Sequence, residues 1–122
     1  MNESWAGSCN EFRFEYPISN TPVKGKISAG GTQKCDSGVH VWIVLSDGFG
    51  YYLQSPEVSL YKNGKWNQDA INISDGIKSI IAILVNEDGH KYFKQKEKNG
   101  EWGQFKDIPA GYEKLSVVEI NK

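Results

Sequence analysis

The chain has 122 residues, 39% of them hydrophobic, with 14 Lys+Arg against 15 Asp+Glu and a formal charge of −1. That is enough for one domain with a real core, residues 1–122 with 1–10 as an N-terminal extension, and too little for two. The composition excludes global disorder, and the charge balance, with Arg13 the only arginine, removes the basic footprint of a general nucleic-acid binder.

Strands separated by tight turns dominate the pattern. Glu11 to Tyr16 alternates, with Phe12, Phe14 and Tyr16 on one face. Val23 to Ile27 turns Lys24 and Lys26 outward, so both read as strands with one solvated face. Val39 to Leu45 is apolar on both faces, as is Ile80 to Val85; such strands sit centrally in a sheet and are covered on both sides. Trp42 lies on the first of them and is expected between two sheets, packed on the Ile80 to Val85 strand. Shorter strands are expected at Tyr51 to Gln54, Glu57 to Tyr61 and Ala70 to Ser74. His90 to Lys98 reads as a short helix stopped by Asn99-Gly100, with a hairpin return strand as the alternative. Trp102 to Tyr112 reads as a loop crossing between sheets. Leu115 to Ile120 closes the chain, with a bulge expected where apolar residues change face at Val117-Val118.

Asp or Asn precedes Gly five times, at 47-48, 63-64, 75-76, 88-89 and 99-100. Each pair can supply the positive φ of a hairpin turn. Together these features predict an all-β, two-sheet antiparallel sandwich of about eight strands with one short helix near 90–98. A small closed barrel is the alternative.

Little catalytic chemistry is legible. His40 reads as a packed strand histidine and His90 as a solvated one. No paired metal-ligand spacing, nucleophile elbow or phosphate loop occurs, so no metal, cofactor or catalytic residue is expected. Lys91, Lys94, Lys96 and Lys98 with Tyr92 and Phe93 read as a solvated polar face, diluted by nearby acids. The longest apolar run, Ile80 to Val85, is far below the roughly 20 residues of a membrane-spanning helix. Cys9 and Cys35 sit among polar and small residues; they read either as one bridge in an oxidising compartment or as two free thiols in a reducing one. Met1 to Trp5 lacks a signal-peptide pattern. That leaves a cytoplasmic protein, or one outside the cytoplasm if Met1 replaces a removed leader.

The aromatic residues carry the functional expectation. Phe49, Tyr51 and Tyr52 crowd one hairpin, followed by Tyr61 and Trp66. Aromatics on turns and edges offer flat apolar platforms to protein partners or sugar rings. The predicted contact residues are therefore Phe49, Tyr51, Tyr52 and Trp66, with a protein partner favoured over a glycan. The opposing expectation for Phe49 is a plug over the end of the sandwich. Lys62-Asn63-Gly64-Lys65-Trp66 is echoed by Lys98-Asn99-Gly100-Glu101-Trp102, read as a recurring turn followed by a packed aromatic.

The succession His40-Val41-Trp42-Ile43-Val44-Leu45, Tyr51-Tyr52-Leu53-Gln54, Asn63-Gly64-Lys65-Trp66 and Ile80-Ile81-Ala82-Ile83-Leu84-Val85 resembles small immunoglobulin-like β-sandwich modules of bacterial proteins. These accompany membrane or signalling segments as accessory domains. The resemblance spans roughly residues 23 to 120. It implies a sandwich fold and a non-enzymatic role, and it supplies no catalytic residues.

Overall fold

The computed structural model describes residues 7–108 and 112–120. Eight strands run in chain order: β1 Cys9–Tyr16, β2 Gly25–Cys35, β3 His40–Ser46, β4 Tyr51–Gln54, β5 Ser59–Leu60, β6 Lys65–Ile73, β7 Ser79–Val85 and β8 Tyr112–Glu119. One helix, α1 Glu87–Asn99, lies between β7 and β8. All strand pairs are antiparallel and form two sheets, β1-β2-β6-β5 and β4-β3-β7-β8. The molecule is thus a two-sheet sandwich. Of the expected N-terminal extension, residues 1–6 lie outside the described residues, while Cys9 and Asn10 already belong to β1.

β3 and β7 pair at the centre of the second sheet, as their two apolar faces require. Val41, Ile43, Leu45, Ile80, Ala82 and Leu84 face the first sheet and meet Phe12, Ala29, Trp66, Ile71 and Ile73 in the inter-sheet core. The opposite face carries Trp42, Val44, Ile81, Ile83 and Val85, which pack on Phe93 of α1 and on Phe105. Trp42 is fully buried beside the β7 residues expected. It lies beneath the helix, however, and not between the sheets, because Val41 and Ile43 on either side take the inner face and strand neighbours point oppositely.

β2 extends well beyond Ile27 into a glycine-rich stretch. Gly30 and Gly31 are what allow this. A Cβ on Gly31 would overlap the Arg13 carbonyl oxygen; one on Gly30 would overlap the Tyr16 hydroxyl and lie 2.9 Å from the Trp66 carbonyl oxygen. Without side chains there, β1 lies close and Trp66 reaches across β2 to donate its Nε1–H to the Arg13 carbonyl at 2.8 Å. β6 also begins earlier than expected and bulges around Asp69-Ala70, where Ile27 pairs with Ile71 but Ala29 with Gln68. β5 is only two residues long and pairs with Trp66 and Asn67. Farther along β6, Gln54 of the opposite sheet accepts the Asn72 N–H at 2.8 Å.

The helix starts earlier than its apolar residues suggest. Asn86 is the N-cap, and its side chain accepts the Gly89 N–H at 2.9 Å. Asp88-Gly89 therefore forms the first helical turn and not a hairpin. Gly100, at φ 67°, ends the helix in a left-handed cap. The loop after α1 does not cross between sheets. Phe105 and Tyr51 exchange backbone bonds at 2.7 and 2.9 Å, so the loop seals the β4 edge of the sheet that β8 later joins. In β8 the bulge falls at Leu115, since Ala82 pairs with Ser116 and Ile83 with Lys114. Val117 and Val118 then face opposite sides in ordinary alternation.

Candidate functional site

Cys9 and Cys35, register partners across β1 and β2, are joined in a disulfide. The β3–β4 hairpin lies elsewhere on the surface. Its turn is organised by one carboxylate. Asp47 Oδ1 accepts the N–H of Phe49 at 2.8 Å and of Gly50 at 2.9 Å, while Oδ2 accepts the Tyr52 hydroxyl at 2.9 Å and Gln104 Nε2 at 2.8 Å. The Phe49 N–H bond, assisted by those from Tyr52, Gly50 and Gln104, holds the Asp47 carboxyl below its ordinary range against a smaller opposing effect of burial. The hydroxyl's own hydrogen bond to Asp47 raises the Tyr52 phenol. Gly48 adopts φ 91°, as the tight turn requires.

This turn holds Phe49 outward with 81% of its surface exposed, so it does not plug the sandwich. Tyr51 and Tyr52 are half-buried. Tyr51 packs near Phe105 at 5.9 Å between ring centroids, and Tyr52 packs on the inter-sheet core with its hydroxyl committed to Asp47. Tyr52 thus supports the turn, while Tyr51 packs on the helix side of the sheet. Trp66 is not a contact residue. It is buried, stacked on Phe12 at 4.5 Å and edge-on to Phe14 at 5.0 Å.

Trp102, not among the predicted contacts, is half-exposed. It lines an open cleft of about 550 Å³ with Tyr52, Leu53, Gln54, Asn72 and Ile77. Tyr52 therefore connects Phe49's turn to this cleft. The Lys-Asn-Gly-x-Trp echo could have drawn attention to Trp102. In the first copy the turn leads into a strand and points Trp66 inward; in the second, glycine caps a helix and the tryptophan stays outside.

A second cluster joins β3, the β4–β5 connection and α1. His40 Nδ1 lies 2.7 Å from Glu57 and its Nε2 lies 3.4 Å from Glu87. The ring of His90 stacks on that of His40, 3.5 Å apart and 7° from parallel, and His90 Nδ1 accepts the Trp42 Nε1–H at 3.1 Å. His90 is thus half-buried against the sheet and not freely solvated. Ligand atoms of His40, Glu57 and His90 lie within 4.8 Å of one another. Imidazole lone pairs lie in the ring plane, however. Two parallel rings this close cannot both aim at an ion roughly 2.0–2.1 Å from each nitrogen. As arranged, the cluster is a hydrogen-bonded stack.

The lysines of α1 are partly engaged. Lys94 pairs with Glu97 at 2.9 Å, and Lys96 sits over the Phe105 ring at 4.7 Å. Phe93 is buried. Among the described residues, no helix is long and apolar enough to cross a membrane. Comparison with protein-family models, with curated proteins and with solved structures finds no match.

Proposed function

We propose that the protein is a non-enzymatic interaction module that docks a protein partner on the Phe49 turn and the adjoining Tyr52–Trp102 cleft. The observation that carries this reading is the exposure of Phe49 on a turn already fixed by four hydrogen bonds to Asp47. An apolar side chain held on a rigid turn loses little entropy on binding and is a favourable anchor. The Cys9–Cys35 bond supports residence in an oxidising compartment. It accords with an immunoglobulin-like accessory module working outside the cytoplasm.

The test is affinity capture with the oxidised protein, identification of the recovered partner, and its titration against purified Phe49→Ala and Trp102→Ala. Phe49→Ala should weaken binding by about tenfold or more, as expected of an anchor worth upwards of about 1.4 kcal/mol, with no change in melting temperature. Unchanged affinity in both variants removes the surface. A glycan is the second reading, favoured by the cleft, where two aromatic rings stand beside the amides of Gln54 and Asn72. Under that reading, oligosaccharide binding should be lost in Trp102→Ala and retained in Phe49→Ala.

A further inference from the structure

The helix is held to the sheet by few apolar contacts. Only Gly89 and Phe93 are buried along its length. The other ties include Trp42 to His90, the His40–His90 stack, Glu87 to His40, Ser55 to Glu97, and Lys96 over Phe105. Beneath the helix lie Trp42, Val44, Ile81, Ile83 and Val85, a continuous apolar face.

Trp42 is fully buried and its indole N–H has one acceptor, His90 Nδ1. In the neutral ring that bond places the proton on Nε2. Charging the ring adds a proton at Nδ1. The acceptor is then lost, and two N–H groups confront each other at a partly buried position. The stacked ring of His40 adds repulsion whenever it is charged too. We infer that the His40–His90 stack is a pH-operated latch, in which a proton on His90 releases the first turns of α1 from the second sheet and uncovers the Trp42 face.

The groups around His90 set the balance. His40 faces it from β3, Glu57 from the β4–β5 connection, and Glu87, Lys94 and Glu97 from α1 itself. Burial opposes the charge most strongly, followed by His40 and, more weakly, Lys94; Glu57 and Glu87 favour it. Opposition prevails, and the ring is held below its ordinary range. A base depressed in the folded state stabilises the closed helix fully above its free value of about 6.5. That contribution is lost as the pH falls toward the depressed value. One proton changes the opening equilibrium by at most about tenfold per pH unit across that window.

Amide hydrogen exchange from pH 7 to pH 5, corrected for intrinsic rates, tests the latch. Protection across His90–Lys98 should fall by about fivefold or more, while β3 and β7 amides change by less than about twofold. His90→Gln offers Trp42 a carbonyl oxygen and takes no proton, so its helix protection should be flat over the same range. The inference is overturned if wild-type protection in α1 is flat, if β3 and β7 lose protection equally, or if His90→Gln shows the wild-type fall. Should His90→Gln not fold, the wild-type His90 resonance decides. A midpoint below 6.5 that coincides with the loss of helix protection supports the latch; a midpoint at or above 6.5 overturns it.

Discussion

Truncating Trp66 tests the placement of this residue in the core. Its ring is 2% exposed, stacked on Phe12 and edge-on to Phe14, with its N–H bonded to the Arg13 carbonyl across Gly31. Trp→Ala at such a site costs about 3–5 kcal/mol through lost burial and the cavity left behind. The two aromatic pairings are contained in that figure. The stranded carbonyl adds about 1 kcal/mol or more. Small domains have about 5–15 kcal/mol in total, so Trp66→Ala should be barely folded or unfolded. Trp66→Phe keeps an aromatic ring against Phe12 and removes the N–H donor, so it should cost less, about 1–3 kcal/mol. Urea unfolding followed by circular dichroism reads both. With a slope of about 2 kcal/mol/M, the Ala variant should lose roughly 2–3 M of midpoint and the Phe variant roughly 1 M. A Trp66→Ala protein within 1 kcal/mol of wild type would refute the core assignment and return Trp66 to the surface.

The disulfide closes a loop of 26 residues in sequence separation. The chain-entropy relation then gives about 3.5 kcal/mol, to be read as the difference in urea-unfolding free energy between the oxidised protein and Cys9→Ala/Cys35→Ala. Gly31→Ala should destabilise as severely as a core truncation, because the new Cβ meets the backbone of β1, which cannot rotate away. Melting curves that match wild type would show that β1 lies farther off. The depressed Asp47 carboxyl stabilises above its free value of about 4, and that contribution is lost as the pH falls through the folded value. Melting temperatures of wild type and Asp47→Asn should therefore differ at pH 7, and the difference should shrink as the pH falls below about 4. Asn86→Ala removes the helix cap and should cost about 1 kcal/mol by thermal or urea unfolding.

The parts of the fold legible in the sequence are those where one strand's own pattern decides its environment. β3, β4 and β7 follow from two-faced or alternating apolar runs, and Asn63-Gly64 and Asp47-Gly48 make the hairpin turns their chemistry favours. Features that depend on a distant neighbour were not legible. Gly30-Gly31 belongs to a strand only because β1 and Trp66 must pass there. Trp42 and Trp66 follow local alternation, but which face meets a helix and which a second sheet is settled by topology. Asp88-Gly89 has the composition of a hairpin turn, yet Asn86 captures the Gly89 N–H and starts a helix. In the candidate site, Phe49 could be anticipated from its turn. Its supports could not, since Gln104 approaches Asp47 from 57 positions away.

The brevity of β5 bears on solubility. An uncovered strand edge is a template onto which another chain can grow. Beyond Asn67, the flank of β6 has no neighbouring strand of its own sheet among the described residues. The side-chain oxygen of Gln54 stands in for one at Asn72, acting as a backbone carbonyl would. The bulge at Asp69-Ala70 breaks the regular spacing that an incoming strand would need. Because Gln54 belongs to the opposite sheet, this guard stays in place only while the two layers remain closed at that side. Loosening of the sandwich there withdraws Gln54 and leaves that stretch of β6 open to self-association, which ties solubility to the fit between the two layers.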